Sequence, residues 1–305
     1  MISPLLNEPA LVVENTIRTL VIADIHLGIE WELYHSGINI PSQVEKRTVR
    51  IREYIKKVAP ERIVLLGDIK HNVPRTSWQE KQEVPAFLEE LAGFAPVDIV
   101  PGNHDGDIEG LIPKNVTMQG MRGFVLDGAG YFHGHTWPDA ALLCASHVVM
   151  SHNHPTVRLT DALGHGVSEP AWIRTRFIEK AIMEHYGDTE WNDPEVIIMP
   201  AFNELCGGIP FNESIHEELL GPVFANHAVE LEKARAFLLD GTDLGTIGGI
   251  RKLGITKVRK KYGFKTGEKV TFIEEDKYVI IKPRTKWVDI CGSVEPLFTT
   301  GISTP

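Results

Sequence analysis

Residues 20–28 read Leu-Val-Ile-Ala-Asp-Ile-His-Leu-Gly, in which four apolar residues run directly into an Asp-x-His step. A short apolar run bounded by polar residues is typical of a buried strand. Asp24 and His26 are two residues apart, so in extended or turn backbone both side chains point the same way and can reach one ion. The segment therefore predicts a strand that ends at two metal-binding side chains.

The same arrangement recurs further along the chain. Four more segments place metal-binding residue types just after a predicted strand: Gly67-Asp68, Gly102-Asn-His-Asp105, His133-Gly-His135 and His152-Asn-His154. An isolated Asp-x-His or Gly-Asp is a weak signal, but five such segments in this order are not expected by chance. Because strand ends in a layered α/β sheet converge on one crevice, we expect these side chains to meet there.

The residue types predict the metal chemistry. Carboxylate, imidazole and amide groups without a thiolate suit divalent ions such as Mn²⁺, Fe²⁺ or Zn²⁺. Seven ligands exceed what one ion can use with water positions left open, and they suit two ions about 3.5–4 Å apart that share a carboxylate. Such a pair lowers the pKa of a water between the ions and neutralises charge in an in-line attack on phosphorus.

The wider pattern alternates strands and helices. Apolar positions spaced three and four apart predict a helix from Val44 to Val58. Ser77-Trp-Gln-Glu80 resembles a capping box that opens a second helix, and residues 172–185 are a third helical candidate. Strands follow one another more closely between residues 118 and 150, which favours a mixed sheet. The fold class predicted is α/β.

Composition sets limits on the class of protein. The 305 residues are 43% hydrophobic and 24% charged, which excludes a disordered or disulfide-stapled chain. No apolar run is long enough to cross a membrane, and the first residues lack the pattern of a signal peptide. The three cysteines are far apart, so a reduced, cytoplasmic compartment is expected. A formal net charge of −10 alone argues against general nucleic-acid affinity.

That charge is unevenly distributed along the chain. Residues 251–305 carry a balance of +6, whereas the preceding residues carry −16. Such asymmetry indicates two modules with different partners. We therefore predict a catalytic domain over residues 1–245 and a small, basic, mostly β module over residues 250–305.

The motif set resembles the calcineurin-type metallophosphoesterase superfamily over roughly residues 15–245. The segments beginning at Asp24, Gly67, His133 and His152 are most similar to the archaeal SbcD-related and the bacterial DNA ligase-associated phosphoesterases. The resemblance implies a two-sheet αββα sandwich and hydrolysis of a phosphate ester. It also implies two divalent ions, for which Mn²⁺ is the expected metal and Fe²⁺, Zn²⁺ and Ni²⁺ are the alternatives.

The resemblance also implies roles for individual residues. The first ion would be held by Asp24, His26 and His154. The second ion would be held by Asn103, His133 and His152, and Asp68 would bridge the two. His104 would contact the scissile phosphate, and Asp105 would orient His104. Ser151 departs from the family, which usually has Gly there; His135 could contact a ligand or substrate, and His71 is expected to lie outside the ligand set.

The basic C-terminal segment resembles the AbrB/SpoVT swapped-hairpin module. Val258-Arg259, Gly263, Gly267-Glu268 and Ile280-Ile-Lys-Pro283 fit that module, although its usual Ile-Pro element is missing. Two strand-like runs flank a polar turn at residues 274–277. The resemblance implies a homodimer, a DNA-binding surface or both.

Two functions from different classes follow. The first is a two-metal phosphoesterase that hydrolyses a phosphate ester by in-line attack of a metal-bridging hydroxide. A phosphodiester of DNA, RNA or a nucleotide is the expected substrate, so this function includes that of a nuclease, a phosphomonoester is the alternative, and no membrane partner is expected. The second is a nucleic-acid-binding or scaffold protein whose metal site is structural or vestigial. Substrate choice depends on loops that these patterns do not position.

Overall fold

A computed structural model describes residues 1–160, 166–253, 270–275 and 278–283. Residues 252–253, 270–275 and 278–283 are described by their backbone alone. The described helices are α1 (Ile29–His35), α2 (Val44–Val58), α3 (Trp78–Ala92), α4 (Glu179–Tyr186), α5 (Pro222–Ala225) and α6 (Ile247–Leu253). Short 3₁₀ turns lie at Ile108–Leu111, Ala140–Cys144, Glu204–Cys206 and His216–Glu218.

The first sheet has six strands whose spatial order follows the chain. They are β1 (Ile2–Pro4), β2 (Ala10–Glu14), β3 (Arg18–Ala23), β4 (Arg62–Leu66), β5 (Val97–Val100) and β6 (Val116–Met118). Strands β1 to β3 pair antiparallel, and β3 to β6 pair parallel with α2 and α3 as crossovers. The two helices occur where the sequence predicts them, and Ser77 caps α3 in a capping box with Glu80.

The second sheet is mixed and has nine strands. They are β7 (Phe124–Leu126), β8 (Ala129–Tyr131), β9 (His147–Met150), β10 (Pro155–Thr160), β11 (Gly166–Arg176), β12 (Glu195–Ile198), β13 (Ile209–Pro210), β14 (Arg235–Leu238) and β15 (Asp243–Thr246). The order is β13-β10-β11-β12-β9-β8-β7, and β14 lies beside β11 with β15 beyond it. Strands β8, β9 and β12 are parallel, whereas β7–β8 and β10–β11 are antiparallel.

Strand alternation divides the core into layers, because successive side chains face opposite sides of a sheet. Leu20 and Ile22 face α2 and α3, whereas Val21 and Ala23 face the second sheet. The outer face of the second sheet packs against α4, α5 and α6 through residues such as Ile182. The molecule is therefore a two-sheet sandwich with helices on both outer faces, which confirms the predicted fold class.

One element differs from its prediction. The helical candidate at residues 172–185 is divided between β11, which contains Trp172, and α4, which begins at Glu179. Ala171, Trp172 and Ile173 are buried on alternating faces, in the layers on either side of the sheet. A strand buried on both faces is continuously apolar, and a short run of that kind cannot be told from a buried helix by periodicity.

The C-terminal segment is described only in part. Strands β16 (Val270–Glu275) and β17 (Tyr278–Pro283) form the antiparallel hairpin that the sequence predicts. The basic run at residues 255–268, which carries most of the module resemblance, lies outside the described residues. Before it, Ile247 and Ile250 of α6 are buried in the second-sheet core, while the division near residue 245 stays a prediction.

Within the described part of the chain, none of the helices is both long and apolar enough to cross a bilayer.

Candidate metal centre

The predicted site residues follow strand ends that lie level with one another. Ala23 of β3 pairs with Leu66 of β4, and Leu66 pairs with Val100 of β5. In the second sheet, Tyr131 of β8 pairs with Val149 of β9. Each predicted ligand comes one to four residues after one of these strands, so both sheets deliver side chains to the same edge of the sandwich.

The backbone turns sharply where these side chains leave the strands. Five predicted ligands have a left-handed backbone: Asp24 (φ 54°), His26 (φ 46°), Asp68 (φ 48°), His152 (φ 73°) and His154 (φ 43°). Asp and His tolerate this region better than most residues, but each instance still costs about 1–3 kcal/mol. A cluster of such residues is typical of a functional site that the surrounding fold holds in place.

Two glycines in the motifs are required by space. A Cβ atom on Gly67 would clash with the His133 ring, and one on Gly102 would clash with the Asp68 carboxylate. Gly67 also has φ 79°, which a side chain would disfavour. Gly67 therefore lets His133, which follows a strand of the second sheet, approach the first sheet, and Gly102 lets two neighbouring motif loops of the first sheet approach each other.

The first group of side chains lies in a compact, buried arrangement. His26 Nε2 is 3.3 Å from His154 Nε2 and 3.6 Å from Asp68 Oδ2. His154 Nε2 is also 3.6 Å from Asp24 Oδ1. One ligand atom from each of these four residues lies within 4.8 Å of the others, close enough for them to share one ion.

The second group lies beside the first and shares Asp68 with it. One ligand atom each from Asp68, His133 and His152 lies within 4.8 Å of the others. His133 Nε2 is 3.4 Å from Asp68 Oδ2 and 3.2 Å from Asn103 Oδ1. The structure therefore brings all seven predicted ligands together, with Asp68 between the two groups.

Asp24 provides a test of whether this pocket suits a cation. Both of its carboxylate oxygens are buried and have no hydrogen-bond partner among the described residues. A buried carboxylate without a donor is costly, so it needs a positive charge close by. Oxygen and imidazole donors arranged around such a carboxylate fit a divalent ion.

The charges of the two groups perturb each other strongly. Although burial disfavours its ionised form, the neighbouring His133 and His26 lower the pKa of Asp68 well below the usual range. Burial opposes protonation of His133 as well, but the Asp68 and Asp24 carboxylates raise its pKa to about 9. Burial and the nearby His133 charge lower the pKa of His152 to about 3. Ionised carboxylates and neutral imidazoles are the forms that bind metals, so a bound ion would displace the proton that the carboxylates favour on His133.

His133 is oriented by a hydroxyl group. Ser151 Oγ donates to Leu66 O at 2.9 Å, so it can accept the proton of His133 Nδ1, which lies 3.0 Å away. A proton on Nδ1 leaves Nε2 with its lone pair facing Asp68 and Asn103. The residue that departs from the family pattern thus contacts a predicted ligand directly.

His104 lies over the shared carboxylate. Its backbone N–H donates to Asp68 Oδ1 at 2.8 Å, and its Nδ1 lies 2.5 Å from the His71 carbonyl oxygen. That contact requires a proton on Nδ1 and leaves Nε2 free for a substrate. The His104 ring centroid is 4.9 Å from that of His26, so the side chain lies at the metal-binding groups.

Asp105 has a different role from the one predicted. Its oxygens accept backbone N–H bonds from Ile69 (2.9 Å), Lys70 (3.1 Å) and Gly102 (2.8 Å), and the His104 ring is held by the His71 carbonyl instead. Burial and the nearby Asp68 charge raise the pKa of Asp105 to about 6. Asp105 therefore ties two motif loops together and does not orient the His104 ring.

The two ambiguous histidines occupy distinct positions. His71 Nδ1 lies 3.1 Å from His26 Nδ1, the nitrogen that faces away from Asp68 and His154, and His71 Nε2 lies 2.5 Å from Glu32 Oε2. His71 therefore links the second nitrogen of His26 to the Glu32 carboxylate, and a carboxylate behind a ligating histidine is a common arrangement. The His135 ring is 5.3 Å from that of His133, and burial together with the His133 charge lowers the pKa of His135 to about 4. Unlike His133, it is absent from the compact ligand groups.

Sequence reasoning missed a buried network behind the first group. Arg47 donates to Glu30 at 2.7 Å and to Asn203 Oδ1 at 3.0 Å. Asn203 in turn donates to the carbonyl oxygens of Ile25 (2.9 Å) and His26 (3.3 Å). The irregular segment after β12 therefore holds the Asp-x-His turn, although nothing in its sequence indicates this.

The comparisons with known proteins agree with this geometry. The family model for calcineurin-like phosphoesterase matches residues 17–203, which contain all seven predicted ligands. None of the curated proteins matches the chain significantly.

Two solved structures are similar to the chain. A nuclease MPE from Pseudomonas putida has a TM-score of 0.50 and 18% identity, covering 79% of this chain and 98% of its own. The phosphoesterase YfcE from E. coli has a TM-score of 0.31 and 18% identity, covering 47% of this chain and 72% of its own. The first likeness concerns the fold, and the family match spans more than half of the chain. The chain therefore belongs to the calcineurin-like phosphoesterases.

Proposed function

We propose that this protein is a two-metal phosphodiesterase acting on nucleic acid or a nucleotide. The observation that carries the proposal is the position of Asp68, whose carboxylate belongs to both compact groups of ligand atoms. A shared carboxylate is the arrangement that holds two ions close enough to act on one phosphate. The Pseudomonas putida structure, a nuclease, has a similar fold and supports a phosphodiester substrate.

The chain's own residues provide two neighbouring metal positions that share Asp68. Asp24, His26, Asp68 and His154 would hold one ion, and Asp68, Asn103, His133 and His152 would hold the other. Two divalent ions bound there would neutralise charge on a phosphate ester and lower the pKa of a water molecule.

His104 would act on the substrate from beside the two ions. With Nδ1 hydrogen-bonded to the His71 carbonyl, its other nitrogen can donate to a phosphate oxygen or to the leaving oxygen. Its backbone N–H bond to Asp68 fixes it relative to the shared ligand. We expect His104 to contribute about 10²–10⁴-fold to the rate, as general acid–base groups usually do.

The proposal is tested with an aryl phosphodiester and Mn²⁺. Asp68→Asn should reduce bound metal and abolish hydrolysis, whereas His104→Ala should lose activity but keep its metal. His227→Ala, at an exposed histidine that lies beside Glu217, is the matched control and should behave like the wild type. Wild-type rates in Asp68→Asn or His104→Ala would contradict the proposal.

Metal content separates this function from the scaffold alternative. After loading with Mn²⁺, mass spectrometry should find about two ions per chain. Fewer than one ion would favour a binding protein with a vestigial site. A panel of single-stranded DNA, double-stranded DNA, RNA, cyclic nucleotides and aryl phosphates then identifies the substrate class.

A further inference from the structure

A thiol that no motif indicated lies beside the first group of ligands. Cys206 ends the 3₁₀ turn Glu204–Cys206, and its sulfur lies within 4.8 Å of ligand nitrogens of His26 and His154, which are themselves that close to each other. The side chain is half-buried and forms no disulfide among the described residues. Three ligand atoms so arranged can reach one ion.

The turn that carries Cys206 is bonded to the backbone of the ligands themselves. The Asn203 N–H donates to Asp24 O at 3.2 Å, and the Asn203 side chain donates to Ile25 O and His26 O. Within the turn, Leu205 N donates to Asn203 Oδ1 at 3.0 Å and Cys206 N donates to Asn203 O at 3.3 Å. The thiol is therefore held in a fixed position relative to Asp24 and His26.

Asp24 indicates independently that a cation belongs beside His26 and His154, with which it forms a compact group. Its two oxygens are fully buried without a hydrogen-bond partner, and Oδ1 lies 3.6 Å from His154 Nε2. A buried carboxylate without a hydrogen-bond donor needs a positive charge close by.

We propose that Cys206 is a further ligand to the ion held by His26 and His154, the two histidines that it shares with the group of Asp24 and Asp68. The proposal rests on the metal-dependent function argued above and adds a sulfur to its donor set. On binding, the thiol would release its proton to solvent and coordinate as the thiolate. Because thiolates are soft ligands, this position would favour Zn²⁺ or Fe²⁺ over Mn²⁺. The second metal position has only nitrogen and oxygen donors, so its preference for Zn²⁺ or Fe²⁺ over Mn²⁺ would be weaker.

Cobalt provides a test that does not depend on activity. The full-length chain is stripped of metal and titrated with Co²⁺ while its absorption spectrum is recorded. We expect visible d–d bands together with a near-ultraviolet thiolate-to-cobalt charge-transfer band. Cys206→Ser should lose the charge-transfer band and keep the d–d bands. Cys144→Ser, at an exposed thiol beside Glu190, should keep both.

A competition experiment tests the consequence for metal choice. The ratio of Zn²⁺ to Mn²⁺ affinity, measured by calorimetry, should fall by at least about tenfold in Cys206→Ser. Circular dichroism and the melting temperature of the variant check that it is folded, and Cys206→Ala repeats the test if the serine is not tolerated. An unchanged ratio in a folded variant would overturn the proposal.

The outcomes separate this inference from the proposed function. If Co²⁺ binds with d–d bands but the wild type shows no charge-transfer band, Cys206 is not a ligand while the two-metal function stands. If neither type of band appears at any Co²⁺ concentration, the metal-dependent function itself fails.

Discussion

At the scale of single residues, Ser151 determines which nitrogen of His133 is free. The hydroxyl donates to Leu66 O and accepts from His133 Nδ1, so Ser151→Ala removes the group that fixes the imidazole tautomer. Partners of this kind are typically worth 10–100-fold in metal affinity or activity. We therefore expect affinity at the second metal position to fall about 10–100-fold, as measured by Mn²⁺ titration calorimetry.

Ser146→Ala is the control for that change. Ser146 also contacts a histidine, His147, but it is exposed and remote from the predicted ligands. It should leave both metal affinities unchanged. Equal affinities in Ser151→Ala and the wild type would show that the Leu66 carbonyl, 3.3 Å from His133 Nδ1, is a sufficient partner by itself.

Whether a site residue can be predicted from the sequence depends on how far apart in the chain its contacts lie. Asp24, Asp68 and His152 each come directly after a strand or within two residues of one, so a local motif can identify them. Asn203 and Cys206 reach the site only through folding, and the bond from Asn203 to Ile25 spans 178 residues. Composition and periodicity carry no information about such a contact.

At the scale of elements, Glu80 joins the start of α3 to the loop that follows β4. Its Oε1 accepts from the N–H groups of His71 (2.9 Å) and Asn72 (2.7 Å), and its Oε2 accepts from Ser77 N (2.6 Å). Although burial favours the neutral form, these donors lower the pKa of the fully buried Glu80 carboxyl. Glu80→Gln should therefore reduce the free energy of unfolding at pH 7 by about 1.5–3 kcal/mol.

The same carboxyl predicts a pH dependence. A pKa that is lower in the folded than in the unfolded state adds stability above the unfolded value and loses it as the pH falls. The difference between wild type and Glu80→Gln, measured by urea unfolding, should thus be constant near neutrality and shrink below the ordinary glutamate value of about 4.5. Glu89→Gln, on the exposed face of α3, should match the wild type throughout. A difference that grows at low pH would contradict the assignment.

Helix α2 supports the Asp-x-His turn through a buried ion pair. The Arg47 and Glu30 side chains are 8% and 3% exposed, so Arg47→Met leaves a buried carboxylate without its cation. Breaking a buried pair in this way costs about 3–5 kcal/mol of unfolding free energy. Because Asn203 loses its partner as well, affinity for the first ion should weaken too.

A double variant separates charge from packing. Glu30→Gln added to Arg47→Met removes the unpaired charge, so it should restore part of the stability measured by urea unfolding. Lys46→Met, at the exposed neighbouring position of the same helix, should change neither stability nor metal affinity. If Arg47→Met alone costs less than about 1 kcal/mol, the pair does not hold the turn.

Elements were predictable where their patterns were local. The stripe of α2 and the capping box of α3 depend on residues a few positions apart, and both lie where the sequence indicates. The sequence predicts a helix over residues 172–185, part of which belongs to β11, because the apolar residues there contact layers on both sides of a sheet, a condition that the strand's own sequence does not state. Tertiary packing, which only the folded chain reveals, makes this part of the segment a strand.

At the scale of the whole molecule, the ligands come from both sheets. Asp24, Asp68 and Asn103 follow strands of the first sheet, and His133 and His152 follow strands of the second. Ions bound between them would therefore bind the assembled sandwich and not the unfolded chain. Ligands of this kind stabilise the folded state by an amount that grows with their free concentration.

The size of that effect reports how many ions bind. Above the dissociation constants, each tenfold rise in free Mn²⁺ should add about 1.4 kcal/mol to the free energy of unfolding for one ion and about 2.7 kcal/mol for two. We expect the two-ion slope for the wild type, measured by urea unfolding in metal buffers. His152→Ala should follow the one-ion slope, because it removes a ligand from the second group and leaves the first intact. Asp68→Asn removes the shared carboxylate and should give a slope near zero, whereas a zero slope in the wild type would mean that the two sheets are not joined by metal.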